Sequence, residues 1–434
     1  MHILLFFMYY LRPGDSGNKR FNEFCRFWLE SDPNIRITVF TGTVNHYTGE
    51  LHTDTGDALY VEKPDASQGV NQDRVRVIYV KQPDTYGKGF KGKAWSQMQW
   101  SRNCSKILAK WTDRPDVIVA SSPPLWGAEP MLYAKRKWRI PAIVEERDLW
   151  PESVVMVGIA PAWHPGVMYL AWLERRLVRT ADHFVALVRT ARNSIVQRGL
   201  KREEDCSVFT NGVWLEQFDE VDPASRAEIR SQLGIRDDQI LCVYIGQFGK
   251  FQRMIDIVEV ADRLRSRPDI RIVTLGEGPD KEMVMEQARQ RGLDNLEFLP
   301  VVPSDEVPKW LKAGDIGISF LNSADNTNWN STTRGVMRNG MYDIAGARLP
   351  IVFNAHGLPR DMIEKEAEGG IFASTLESVD AYVAAIEKLA ADPELCREMG
   401  ERNYYGIAVK YNRRSMAAGY LEVMRMLIAR YSSR

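Results

Sequence analysis

The sequence has 434 residues, 44% hydrophobic and 26% charged, which excludes a single ordinary core and a disordered chain and predicts two globular domains of about 200 residues each. Lysine plus arginine and aspartate plus glutamate both number 57, so no global field recruits nucleic acid and any anion site must be local. The five cysteines are scattered with no CxxC and no metal-ligand spacing, which predicts ordinary thiols in a reducing compartment.

The chain opens on an apolar run, residues 3–10, without a basic leader or a small-residue cleavage site, so it reads as a buried first strand rather than a signal peptide. No run is long enough to span a bilayer, and a cytoplasmic protein is expected. The turn Pro13-Gly14-Asp15-Ser16-Gly17 then feeds a helical pattern through Phe21, Phe24, Trp28 and Leu29. Further short, Val/Ile-rich strands are predicted at 35–41, 75–80, 116–120, 142–145, 183–188 and 206–209, apolar almost throughout, as strands of a sheet covered on both faces are. Residues 45–74 are long and polar and read as a surface excursion near the sheet edge. Acids, Pro and an Asn211-Gly212 turn mark the boundary at 210–223.

The second half repeats the alternation. A strand at 240–245 turns through Gly246-Gln247-Phe248-Gly249-Lys250 into a helix with Ile255, Val258 and Ala261 on one face. Strands follow at 270–275, 296–299, 315–320 and 351–353. Residues 322–339, rich in Asn, Ser and Thr, read as a mobile loop of functional length. An amphipathic helix is predicted at 414–431. Strands alternating with helices predict an α/β fold with parallel sheets. A strand that ends in a glycine turn and feeds a helix presents backbone N–H groups and a positive dipole end, which suits a phosphate. Two such turns predict two Rossmann-like domains facing across a cleft.

Arg147-Asp148-Leu149-Trp150-Pro151-Glu152-Ser153, Thr210-Asn211-Gly212-Val213, Gly276-Glu277-Gly278-Pro279 and Met341-Tyr342-Asp343-Ile344-Ala345-Gly346 fall in a definite order, followed by Asp392-Pro393-Glu394-Leu395 and Met399-Gly400. This arrangement resembles that of retaining GT-B glycosyltransferases of family 4, in the bacterial branch that carries an R-D-L-W-P-E-S-type segment and builds surface polysaccharides. The resemblance covers nearly the whole chain. It implies an acceptor-binding Rossmann-like domain at 1–209, a linker at 210–223, a nucleotide-sugar-binding domain at 224–413, and a helix at 414–434 returning to the first domain. It further implies a hexosyl-type transfer from a nucleotide-diphosphate donor, UDP being the expected carrier, to a glycan or lipid-linked glycan. The anomeric configuration would be retained and neither metal nor cofactor required, the departing phosphate taking the acceptor proton.

The resemblance assigns roles residue by residue. Gly246, Gly249 and Lys250 match the diphosphate-binding turn, with Arg253 as a second cation and Asp343 as the acid that accepts from ribose hydroxyls. Gly276 and Gly278 match a base-contacting loop, where the missing side chain permits close approach. Gly14, Ser16 and Gly17 match the N-terminal loop that closes on the donor. Arg147 and Asp148, at the carboxyl end of a strand, are the acceptor-side candidates. The chain departs from the family at Gly340, where relatives carry Lys, at Arg348, where they carry Gly, and at Gly335, where the first acid of an E-x7-E pair would stand. Ser121-Ser122-Pro123-Pro124 takes the place of a cleft His, so no catalytic His is assigned; His46 is a minor acceptor-side candidate. These departures motivate the alternative, a GT-B scaffold that has lost catalysis and acts as a binding or assembly partner. Between residues 86 and 111 there is no acid, and Lys and Arg alternate with Phe90, Trp95, Trp100 and Trp111. That pattern suits peripheral contact with an anionic membrane surface.

Overall fold

In the computed structural model the apolar runs that begin each half become interior strands of two separate sheets. The structure describes all residues except 13, 14, 16, 18, 46–48, 84, 86–88, 149, 157, 250, 251, 322–336 and 434. The first sheet contains β1 (His2–Phe6), β2 (Arg36–Gly42), β3 (Tyr60–Pro64), β4 (Val75–Val80), β5 (Val117–Ser122), β6 (Ala142–Glu146), β7 (His183–Ala186) and β8 (Cys206–Val208). Its spatial order is β3-β4-β2-β1-β5-β6-β7-β8. The pairings are parallel except at the edge, where β3 runs antiparallel to β4. The second sheet contains β9 (Ile240–Ile245), β10 (Ile270–Leu275), β11 (Leu296–Leu299), β12 (Ile316–Ser319), β13 (Ile351–Phe353) and β14 (Gly370–Phe372). It is parallel throughout, in the order β11-β10-β9-β12-β13-β14.

Side-chain alternation explains why these strands need no polar face. Along β9, Leu241 and Val243 enter one core cluster with Leu311 and Ile344. Cys242 and Tyr244 enter another with Ile257, Val258 and Ile386. A strand buried on both sides in this way must be apolar at every position.

The chain divides into two units, Met1–Thr210 with Arg414–Arg434, and Asn211–Arg413. Residues 211–223, expected as a linker, therefore belong to the second unit. Val213, Leu215 and Phe218 are buried in its core, and Val213 bridges Asn412. The helix Arg413–Ser432 gives most of its length to the first unit. There Trp28 Nε1 donates to Ala417 O at 2.8 Å, and Tyr420 packs edge-on against Phe21 and Phe24.

Three other expectations change. The first strand ends at Phe6 rather than residue 10, although Phe7, Met8, Tyr10 and Leu11 stay buried. The polar excursion 45–74 contains the edge strand β3 and a 3-10 turn at Ala66–Arg74. In the basic–aromatic stretch 86–111, of which 86–88 lie outside the described residues, Gly89–Lys110 form a helix. Within it Trp100 is fully buried and donates to Thr41 O at 2.9 Å, and Trp111 is also buried, while Phe90 and Trp95 remain exposed. Two of the four aromatics described in that stretch therefore serve the core. Of residues 322–339, those from 322 to 336 lie outside the described residues. Met337 is buried, and Asn339 starts a helix. No helix among the described residues is long and apolar enough to cross a membrane.

Candidate functional site

Each sheet has one place where the strand order reverses direction, between β1 and β5 in the first and between β9 and β12 in the second. Open α/β sheets bind ligands outside the carboxyl ends of their strands at such a switch point. The described candidate residues are found at these two ends, and each unit is taken by itself.

In the second unit β9 runs into Gly246–Gly249 and β10 into Gly276–Gly278. The two turns are fastened to each other through the backbone. Gly246 N donates to Leu275 O at 3.1 Å, Phe248 N to Glu277 O at 2.9 Å, and Asp280 N to Phe248 O at 3.0 Å. A Cβ at position 276 would stand 1.8 Å from Gly246 O, and one at 278 would stand 2.1 Å from Phe248 O. Gly276 and Gly278 are thus required first by the approach of one turn to the other. The role matched to them by resemblance, contact with a base, is additional to that structural need.

Across the switch point lies the helix Asn339–Gly346. Its second residue, Gly340, is pressed against β9, for a Cβ there would come 2.7 Å from Ile245 O. The Lys that the family resemblance implies at this position does not fit this backbone. A different cation is present two residues earlier. When the Gln252 amide is oriented so that its nitrogen donates to Gly249 O at 3.1 Å, its oxygen accepts from Arg338 Nη1 at 2.7 Å. Gln252 itself is buried. Arg338 therefore stands at the helix N-terminus, tied through Gln252 to the glycine turn. Asp343, half-buried, lies on the same helix one turn beyond Gly340. The fold thus brings Gly246, Gly249, Arg338 and the Asn339–Gly346 helix to one strand end.

Arg253 is placed differently from its expected role. It adopts a left-handed backbone, φ 44°, and its Nε pairs with the buried Asp256 at 2.9 Å. Its charge is already countered within its own turn. Lys250 lies outside the described residues, as do Gly14, Ser16, His46 and Gly335. Arg348 sits just past the other end of the Asn339–Gly346 helix with φ 62°. Its guanidinium stacks 3.5 Å over Tyr404 and pairs with Glu401 at 2.5 Å. Glycine is the usual residue at such a left-handed helix stop. The exchange is therefore a matter of helix termination, not of the strand end where phosphate would bind.

In the first unit Gly17 is exposed at the turn after β1. Around it Asp15 is gripped by Arg12, 3.2 Å from Nη2, and lies 3.0 Å from His52 Nε2. Burial lowers the His52 pKa, and Arg12 adds to this while Asp15 opposes it. At the carboxyl end of β6 two adjacent acids part company. Glu145 meets the fully buried Arg20, whose Nη2 is 3.0 Å away and whose guanidinium also donates to Phe209 O and Thr210 O. Glu146 is buried, and among the described residues neither of its oxygens has a hydrogen-bond partner. Its pKa is pushed well up by burial and by Glu174 and Glu152, with Arg198 opposing. Arg147 follows, its guanidinium 4.9 Å over Phe7 and its Nη2 donating to Pro123 O at 2.6 Å. It fastens the ends of β1, β5 and β6, and the exposed Asp148 lies beside it.

Sequence reasoning missed Arg338, Gln252, His52 and Glu146. Arg338 had a readable signal, a cation directly before a helix start and two residues from the place where the resemblance implies a Lys. Among the described residues no group of three His, Cys, Asp or Glu could hold a metal ion.

The comparisons with known proteins agree with this arrangement. A glycosyl transferase 4-like domain matches residues 35–212 and a glycosyl transferases group 1 domain matches residues 225–324. The chain thus carries the two domains and the fold of GT-B glycosyltransferases of family 4 type. It is 28% identical over 211 residues to WcaI of Escherichia coli, named as a colanic acid biosynthesis glycosyl transferase, which covers 48% of this chain and 51% of that one. Alpha-monoglucosyldiacylglycerol synthase of Streptococcus pneumoniae is 22% identical over 300 residues, covering 68% of this chain and 63% of that protein. The chain thus spans about half the length of the first and under two thirds of the second. Among solved structures it is similar in fold to sucrose-phosphate synthase from Thermosynechococcus elongatus, with TM-score 0.72, 13% identity and 99% of both chains covered. It is also similar to Anabaena HepE in complex with UDP-glucose, with TM-score 0.66, 13% identity, and coverage of 98% of this chain and 100% of that one.

Proposed function

We propose that this glycosyltransferase moves a hexosyl group, with retention, from a nucleotide-diphosphate donor to a glycan or lipid-linked glycan during assembly of a bacterial surface polysaccharide. UDP is the carrier we favour, supported by the UDP-glucose complex of a structural neighbour; the polysaccharide assignment is supported by the name of the Escherichia coli relative. The observation that carries the proposal is the strand end of β9, where a glycine turn and a helix start converge with Arg338 between them.

The chemistry is a single exchange. The bond from the anomeric carbon to the diphosphate breaks and a bond to the acceptor oxygen forms on the same face. The departing phosphate oxygen takes the acceptor proton. Charge grows on the diphosphate as it leaves, and Arg338, Lys250 and the first N–H groups of the Asn339–Gly346 helix are the groups proposed to meet it. Asp343 is proposed to accept from the ribose hydroxyls. Because these cations belong to the chain, turnover should survive a chelator, and its loss in EDTA with recovery on adding a divalent metal would refute metal-independent transfer. A lipid-linked acceptor would bring the enzyme to a membrane surface, for which the exposed Phe90 and Trp95 beside Lys91 and Lys93 offer support.

A thermal-shift series with UDP, GDP, ADP, dTDP and CMP tests the donor site, since a ligand bound only to the folded state raises the melting point. One diphosphate should stabilise the wild type, and Arg338→Gln should weaken that effect and lower kcat by ~10²-fold. Stabilisation by none of them would favour the non-catalytic scaffold.

A further inference from the structure

The helices Gly89–Lys110, Pro130–Trp138 and Pro165–Thr180 lead into β5, β6 and β7 respectively and pack against one another. Their later residues surround an open pocket of about 600 Å³ lined by Arg102, Lys106, Arg136 and Arg176, with Ser101 and Glu129 at its wall. Because each helix ends where its strand begins, the pocket lies towards the amino ends of these strands, away from the switch-point ends described above.

The charges around this pocket are not balanced. Many arginines of the chain are in ion pairs, and some, such as Arg267 and Arg291, hold two carboxylates at once. Among the described residues none of Arg102, Lys106, Arg136 and Arg176 is in one; Lys106 reaches only Asn103 Oδ1, at 3.4 Å. The single lining acid, Glu129, is engaged by the Ser101 hydroxyl at 2.7 Å. Each helix C-terminus offers about half a negative charge, which with Glu129 still leaves an excess of positive charge. The guanidinium of Arg136 lies 5.7 Å from the centre of the Tyr133 ring, and that of Arg176 lies 5.2 Å from the centre of the Trp172 ring. Stacking occupies the faces of these groups and leaves N–H edges, which match phosphate oxygens in geometry. On the same helix as Arg176, Met168, Tyr169 and Trp172 are exposed, and Tyr169 and Trp172 stack on each other at 5.7 Å.

We propose that this pocket is a second anion site, separate from the donor site, that takes a phosphoryl group. The phosphate is either free in solution or part of a lipid headgroup, the exposed aromatic row next to it matching the interfacial zone of a bilayer. The site stands independently of the proposed sugar transfer and can be tested without it.

The full chain is assayed for co-sedimentation with vesicles of phosphatidylglycerol in phosphatidylcholine against phosphatidylcholine alone, and for a melting shift in inorganic phosphate. R136E/R176E, two exposed positions, is compared with the wild type, and R397E in the second unit serves as the charge control. A loss of at least about tenfold in vesicle binding for R136E/R176E alone assigns a lipid phosphate. Loss confined to the inorganic phosphate shift assigns a free one. If R136E/R176E matches the wild type with both probes, or R397E loses as much, the proposal fails. Circular dichroism confirms that the variants are folded, and R102Q/K106Q repeats the comparison if R136E/R176E is not.

Discussion

Glu146 places a carboxyl group in the interior with no hydrogen-bond partner for either oxygen among the described residues, and its neighbours Glu174 and Glu152 raise its proton affinity further. The folded state therefore holds this proton more tightly than the unfolded chain does. Raising the pH from the ordinary carboxylate range towards the raised native pKa withdraws stability. Glu146→Gln, which keeps the shape without the charge, should match the wild type near pH 5 and exceed it by ~1 kcal/mol or more at pH 8, measured by urea unfolding at both pH values. His183 has the opposite sign. Burial lowers its pKa to about 4 from 6.5, so its contribution is present above pH 6.5 and lost as the pH falls towards 4. His183→Gln should flatten the acid limb of the stability curve over that interval. At the same scale Asp343→Ala should raise donor KM about tenfold, as expected for a lost hydrogen bond to a charged group, with the melting point of the free protein little changed.

At the scale of elements, a close backbone approach and a helix end account for two of the expected departures from the family pattern, Gly340 and Arg348. Gly276→Ala forces a Cβ onto Gly246 O at 1.8 Å and should destabilise by ~2–3 kcal/mol, seen as a lower urea midpoint, with donor-induced stabilisation lost as well. Arg348→Gly relieves a left-handed backbone worth ~1–2 kcal/mol. It also forfeits a stacked cation worth ~0.5–1 kcal/mol. Stability should stay within about 1 kcal/mol of the wild type, or rise slightly, and turnover should not change. A large loss of turnover would mean that Arg348 acts on the donor after all. The strands were legible wherever burial on both faces made them apolar at each position, as in β9. The edge strand β3, whose residues Tyr60, Glu62, Lys63 and Pro64 are exposed, has no such pattern to read. Likewise the glycine turn after β9 was visible as a motif. What a side chain at 276 or 340 would strike depends on a backbone from elsewhere in the chain, and no local spacing carries that information. Arg338 has no motif of its own: the resemblance puts the cations at Lys250 and Arg253 and marks Gly340, where this backbone admits no side chain, only as a missing Lys.

At the scale of the whole molecule, the first unit is assembled from two distant pieces of sequence. Trp28 bonds to Ala417, 389 positions away. Tyr420 fills the space between Phe21, Phe24 and Phe209. Arg425 and Arg414 reach Asp32 and Glu30. Removing residues 414–434 should expose that aromatic cluster and unfold the first unit while the second keeps its own transition. Differential scanning calorimetry would then show one of two transitions abolished. Equal loss of both would mean that the second unit depends on the helix as well. The second unit, by contrast, is one uninterrupted stretch, Asn211–Arg413, which in sequence falls between the two pieces of the first. On the ribosome this fixes an order of events. The second unit has all of its own sequence available as soon as Arg413 has emerged, whereas the first, begun two hundred residues earlier, must hold Phe21, Phe24 and Trp28 uncovered until the helix bearing Ala417 and Tyr420 has been synthesised. That waiting interval is when chaperone protection of the nascent chain matters most.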